Sequence, residues 1–281
     1  MSFSKFAFTI LYGINIFFGY CLVQHYIGAI VVAAAIPLIL VIWQKISLYK
    51  TGAVPIEQCR RTDAYILNNA YEAVMLRASN CGFNLKKAKL YISDQDTYNA
   101  YNCGNAIIVN KPVLYDSSVL EGVVAHEVNH HRCADSWFSM LLGLNISVSS
   151  IILSLSAGLY VVAIIAVFML IFSIFFRNSG WLGLVLAKIL MPIQKAVVNI
   201  MVTTTVAVEM AISRGTEYKA DEFASTIGYG SELKLFLSRD SSLRKPLTFT
   251  ERLLSTHPSD DKRIAKIERY EQKQLNDYYG I

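Results

Sequence analysis

From Ser136 to Phe176 the chain carries no Asp, Glu, Lys, Arg or His. As one straight helix rising about 1.5 Å per residue, that run would be roughly 60 Å long, about twice the hydrocarbon thickness of a bilayer. It must break, with Gly158 the nearest candidate, or extend beyond the membrane. Either way it restricts the chain to a membrane-associated helical architecture. Composition points the same way: 54% of the 281 residues are hydrophobic and only 17% charged, with mean hydropathy +0.39, a charge-poor balance for a soluble domain.

Three further apolar runs accompany it. Phe6 to Val23 and Ile27 to Trp43 contain no charge and are separated by Gln24, His25 and Tyr26. Each is close to the length that crosses a bilayer, about 17–25 residues. Ser2 and Lys5 make a thin n-region, and a second run follows at once, so an uncleaved hairpin is expected rather than a signal peptide. Lys5 precedes the hairpin and Lys45, Lys50, Arg60 and Arg61 follow it, which places both ends in the cytoplasm. Trp181 to Ile212 is apolar again but holds Lys188, Lys195 and Glu209, after a polar turn at Arg177-Asn178-Ser179-Gly180. Lys188, Lys195, Asn199 and Thr203 fall near one helical face, expected to turn toward protein or the interface. The region either crosses twice, as Ser136–Phe176 and Trp181–Ile212, or the first run is itself a hairpin and the second interfacial. Charge favours the hairpin. Length and the polar turn favour the simpler pair, which is adopted here.

Net charge is +5, but the basic residues flank apolar segments and form no run interleaved with aromatics, so a nucleic-acid partner is not expected. The five cysteines are odd in number and include no CxxC pair. Neither a disulfide framework nor a thiolate zinc site is indicated, and a reducing compartment fits.

Thr51 to Asp135 reads as soluble. Pro55 to Ser79 has helical spacing and stops at Cys81-Gly82. Lys89–Ser93 and Ala106–Asn110 read as strands. Ser118 to Cys133 reads as a helix, with Ser117 or Ser118 as N-cap and Glu121 in its first turn. After the apolar insert, helices are expected over Glu217–Ile227 and Ser231–Leu237. A last one is expected after Ser259, with Ile264, Ile267 and Leu275 on its apolar side.

The Ser118–Cys133 helix contains His126-Glu127-Val128-Asn129-His130, and three of the chain's five histidines fall between 126 and 131. Residues four apart lie one turn above each other, so His126 and His130 direct both imidazoles at one zinc ion. Glu127 is placed to act on a zinc-bound water as general base. His131 points about 100° from His130 and cannot share that ion. An accidental match on an amphipathic helix is the alternative, and so histidine-poor a chain makes it rare. A catalytic zinc needs a third protein ligand. A metzincin would place glycine and histidine where this chain has Cys133 and Ser136, so a carboxylate from a later helix is the remaining choice. Glu217 and Asp221, spaced i,i+4, are the best candidates: Glu217 on zinc, Asp221 on the far nitrogen of a ligand histidine. Alone, that pair would read as an acidic solvated face.

With these residues in view, the chain resembles the HtpX-type membrane zinc metalloproteases, relatives of the CAAX prenyl proteases. The resemblance rests on HEVNH followed by Asp135, on Ser213-Arg214-Gly215-Thr216-Glu217-Tyr218-Lys219-Ala220-Asp221, and on His257-Pro258 with Arg263-Ile264. It also includes Asn99-Ala100-Tyr101 before an edge strand and the paired N-terminal spans. Ser259 and Tyr101 depart from the family's proline and phenylalanine, and the apolar insert is unusually continuous. The resemblance implies a mostly helical membrane protein with a small sheet and an α+β gluzincin-type domain. It divides the chain into a hairpin (1–50), a first catalytic part (51–135), a helical insert (136–212) and a second catalytic part (213–281). It implies an integral, multi-pass protein, of a bacterial inner membrane, that cleaves unfolded or membrane proteins on the cytoplasmic side. Substrate would pair with the Asn99–Asn110 region. His257 would donate to the oxyanion, helped by Arg214, and Asp135 and Asp221 would support the ligands. The competing readings are a protease dedicated to one lipidated or prenylated substrate, an intramembrane protease and a non-catalytic metal-binding scaffold. The charged residues close behind HEVNH count against the intramembrane form.

Overall fold

The computed structural model describes residues 26–175, 180–243 and 257–280, together with Ile10, Gly13 and Phe17. Apart from those three residues, the Phe6–Val23 span lies outside the described residues, as does the Arg177–Ser179 part of the polar turn. The fold is mostly helical with one small mixed sheet, as expected. Its elements are α1 (Tyr26–Lys50), β1 (Val54–Pro55), α2 (Arg61–Asn80), β2 (Lys89–Ser93), β3 (Ala100–Cys103) and β4 (Ala106–Asn110). They continue with α3 (Lys111–Leu114), α4 (Leu120–Cys133), α5 (Asp135–Phe175), α6 (Gly180–Thr226), α7 (Gly230–Leu243) and α8 (Asp260–Tyr279).

The chain divides into two units, one of residues 1–36 and 141–209, the other of 37–140 and 210–281. In the first, apolar side chains dominate and stay exposed: Leu159, Leu170, Leu184 and Ile200 are between 65% and 68% accessible. Trp181–Thr204 is the one helical stretch among the described residues long and apolar enough to cross a membrane. Lys188, Lys195, Asn199 and Thr203 are exposed there, so the described protein does not cover the face that carries them.

The second unit has a conventional core. On α2, Leu67, Ala70, Tyr71, Val74 and Ala78 recur at helical spacing and are buried. That helix ends as expected at Cys81-Gly82, where Gly82 N donates to Ser79 O and Phe83 N to Ala78 O, closing the orphan carbonyls. It begins later than expected, at Arg61, because Val54–Pro55 pairs with Ile92 and Tyr91 as a sheet strand. The sheet order is β1-β2-β4-β3, with β2 and β4 parallel and the other neighbours antiparallel. β4, Ala-Ile-Ile-Val-Asn, is buried at every position, which suits a central strand covered on both faces. β3 stands at the edge. Helix α4 packs Val123, Val124 and Val128 into this core. The start of α7 presses so close to it that a Cβ on Gly122 would lie 2.8 Å from Glu232 Cβ and from Leu233 N.

Of the two courses left open for the run beginning at Ser136, it forms a single helix, α5, with no break at Gly158. Three expectations are revised. The Glu217–Ile227 helix is not separate from the apolar run before it; both belong to α6. Neither Ser118 nor Ser259 caps a helix with its side chain: the residue preceding α4 is Val119, while Asp116 accepts the Ser118 hydroxyl. Leu275 is exposed, unlike Ile267, which is buried.

Candidate metal centre

The helical register of α4 stacks His126 and His130, whose ring centroids lie 4.7 Å apart at 82°. Their Nε2 atoms approach to 3.1 Å. Glu217 on α6 completes a triangle, with Oε2 3.5 Å from His126 Nε2 and Oε1 3.4 Å from His130 Nε2. Ligands at about 2.0–2.1 Å from a tetrahedral ion would be separated by about 3.3 Å, so the three donors suit one ion of that geometry. All three residues are buried.

The far side of each imidazole is also held. His126 Nδ1 lies 3.0 Å from Asp221 Oδ1, and His130 Nδ1 lies 3.3 Å from Asp135 Oδ2. A proton on each Nδ1 would donate to these carboxylates and leave the Nε2 lone pairs facing one another and Glu217. Three acceptors that converge in this way suit a cation between them. On an unbroken helix, Asp135 would sit about 140° around the axis from His130. Ala134 adopts the left-handed conformation instead, φ 54°, and this break returns Asp135 to the histidine. For a residue with a Cβ that conformation costs roughly 1–2 kcal/mol.

Arg263, on α8, joins the two parts of the site. It grips Asp221 in two places, Nε to Oδ2 at 2.9 Å and Nη2 to Oδ1 at 2.6 Å. Its Nη1 lies 3.3 Å from Glu217 Oε2. Burial opposes charge on Glu217, but the imidazoles of His126, His130 and His257 and the guanidinium of Arg263 outweigh it, holding the carboxyl well below its ordinary range. Burial likewise weakens His130 as a base, and hydrogen bonds to Asp135 and Glu217 more than reverse this. Glu217 Oε2 makes no hydrogen bond of good geometry and is buried. A buried carboxylate oxygen left so is costly, and an ion at the centre of the triangle would satisfy it.

Beside the donors lies a cavity of about 290 Å³, lined by Glu127, His257, Asp240 and Phe236 together with Asn99, Ala100, Tyr101 and Asn102. Glu127 is 6% exposed. His257 Nδ1 is 3.1 Å from Glu217 Oε2. Arg214 is half-buried on α6 and is not among the residues lining the cavity. The structure therefore gathers His126, Glu127, His130, Glu217 and His257 at one place, with Asp135 and Asp221 behind the histidines. Arg263 was visible in the sequence only as part of the Arg263-Ile264 pattern. Its position 42 residues after Asp221 gave no local sign of the pairing.

Residues 66–271 match the profile of peptidase family M48. The chain belongs to that family. Similar M48 relatives include a Protease HtpX homolog of Caldanaerobacter subterraneus subsp. tengcongensis, 26% identical and covering 93% of either chain. Another, from Aquifex aeolicus, is 27% identical over 79% of this chain and 75% of its own. The crystal structure of S. mikatae Ste24p shares the fold at 16% identity and TM-score 0.51, across 94% of this chain and 63% of that one. These matches agree with the resemblance read from the motifs. Membership of M48 makes the chain a peptidase by family.

Proposed function

We propose that this M48 peptidase is a membrane-anchored zinc endopeptidase that cleaves unfolded or membrane proteins from the cytoplasmic side of a bacterial inner membrane. The observation that carries the reading is the triangle of His126, His130 and Glu217 beside a cavity walled by an edge strand. Two imidazoles and one carboxylate form a donor set suited to zinc. Bound zinc would supply Lewis acidity toward a carbonyl and raise the acidity of water. Glu127 would accept the proton of the attacking water and pass it to the leaving nitrogen. His257, at the cavity, would donate to the oxyanion. Arg214, three residues before Glu217, would add positive potential from that turn. The apolar Trp181–Thr204 helix supports membrane anchoring.

The sheet supports an extended peptide as substrate. Asn110 N donates to Asn99 O, and pairing alternates along an antiparallel ladder. With Tyr101 opposite Ile108 and Ala100 opposite Val109, the main-chain groups of Ala100 and Asn102 point away from β4. A peptide added there would be held mainly through its backbone, with little selection of side chains. That suits unfolded substrates better than one dedicated sequence.

The test is Glu127→Gln in the full chain, purified in detergent and loaded with zinc. Zinc content should hold, and casein cleavage should fall at least about a hundredfold. Full activity in the variant would refute the reading. A strong preference for a lipidated peptide over its plain counterpart would shift it to a dedicated processing enzyme.

A further inference from the structure

A second cluster of polar groups adjoins the start of the edge strand β3, centred on Asp116 in the turn between α3 and α4. Asp116 Oδ2 accepts from the Tyr98 hydroxyl at 2.6 Å and from Arg239 Nη1. Its Oδ1 accepts from Ser118 Oγ at 2.6 Å and Ser118 N at 3.2 Å. Its carbonyl accepts from Val119 N and Leu120 N, both at 3.1 Å. Arg239 also donates to Ser118 Oγ at 2.9 Å, and the Tyr98 ring stacks on Phe236 with centroids 5.3 Å apart. Burial opposes charge on Asp116, but Ser118, Tyr98 and Arg239 outweigh it and draw its pKa down to about 2.

One carboxylate thus ties three elements together. Tyr98 immediately precedes Asn99 and the edge strand. Arg239 lies on α7 three residues after Phe236, a cavity residue on the same helical face. Ser118 and the two amides lead into α4, which carries both histidines. These elements form the peptide edge, a facing wall and the helix of the metal donors. None of the Asp116 contacts reaches the His–His–Glu triangle.

We infer that Asp116, acting through Tyr98 and Arg239, is a positioning residue that sets the separation between the β3 edge and the α7 wall and so governs the binding of extended peptides. It serves the seating of substrate along the strand and leaves bond cleavage itself unchanged. The inference rests on the peptidase reading above.

Two peptides with the same scissile bond separate this role from a structural one. One spans β3, about 3.3 Å per residue, and the other is cut back to the residues around the bond. In the zinc-loaded full chain, Arg239→Met should raise KM for the long peptide about tenfold, with kcat held within about twofold, and should leave the short peptide unaffected. Arg239→Lys should recover part of the loss, and Tyr98→Phe should fall between. Equal losses on both peptides, or a fall in kcat alone, would overturn the inference. If Arg239→Met fails to fold by thermal melting, Tyr98→Phe, which removes a single hydroxyl, decides. Binding of the long peptide to the Glu127→Gln form, with and without Arg239→Met, keeps the two readings apart. A tenfold weakening without any Glu127-dependent cleavage would uphold the positioning role while the peptidase reading fails. Unchanged or undetectable binding would overturn the role itself.

Discussion

The two units of the chain present opposite surfaces. In residues 37–140 and 210–281, apolar side chains such as Leu67, Ile107 and Val124 are inside, and the buried charges Glu217, Asp221 and Arg263 are matched to one another. In residues 1–36 and 141–209, Leu159, Leu170, Leu184 and Ile200 face outward, and the apolar stretch of the Trp181–Thr204 helix is not buried. Exposing so many large apolar groups to water would forfeit roughly 1.5–3 kcal/mol for each one, which supports the membrane anchoring proposed above. The contrast teaches where a substitution will be felt. One unit should be sensitive to lost charge partners, the other to gained charge.

The largest effect expected from that contrast is at Arg263. Arg263→Met would leave the carboxylates of Asp221 and Glu217 facing each other without the guanidinium that balances them. Breaking a buried pair from one side costs about 3–5 kcal/mol, and losing the support behind a ligand histidine weakens metal binding about 10–100-fold. Melting temperature and zinc affinity should fall together. Unchanged values in both would show that the matched charges of this unit are not what stabilises it.

A smaller effect is expected in the other unit and should take a different form. Ile193 is exposed near the middle of Trp181–Thr204. Ile193→Arg would place a charge where a hydrocarbon phase disfavours it by about 2.5–3.5 kcal/mol. Membrane-inserted yield should drop, while the inserted fraction keeps its zinc affinity. If yield is unchanged and the variant becomes soluble without detergent, the apolar surface is not membrane-facing and the comparison fails.

The sequence made local features legible and hid those that depend on tertiary contact. The i,i+4 spacings of His126 with His130 and of Glu217 with Asp221 are properties of single helices, and the structure brings these four residues together. The strand at Lys89–Ser93 alternates and the one at Ala106–Asn110 carries a β-branched run, so both were equally plain. The start of a separate helix at Glu217 was misread because the chemistry-bearing pattern begins there while the backbone does not change: no proline lies between Thr204 and Glu217, and the lone Gly215 weakens a helix without ending it, so α6 continues. The cap at Ser118 was missed because Asp116, two residues earlier, captures the hydroxyl. Arg263 and the Tyr98–Asp116–Arg239 cluster join residues far apart in the chain, and no periodicity reports such pairs.

The finest test lies at the tip of the β3–β4 hairpin, within the unit that holds the site. Gly104 has φ +66°, and a Cβ there would fall 2.4 Å from Gln44 Nε2 and 3.0 Å from Trp137 Cε2. Gln44 donates to Cys103 O at 2.8 Å and to Asn105 Oδ1 at 3.0 Å, so α1 clasps the turn that ends the edge strand. Gly104→Ala would meet two penalties, the left-handed backbone and the displaced Gln44 amide, together about 1–3 kcal/mol. Gln44→Ala should relieve the clash without relieving the backbone strain. The double variant should therefore be less destabilised than the sum of the single ones, a non-additivity expected of groups in contact. Strict additivity in melting experiments would mean that α1 and the hairpin tip are energetically independent. The polar matching ascribed to this unit would then stop short of its edge strand.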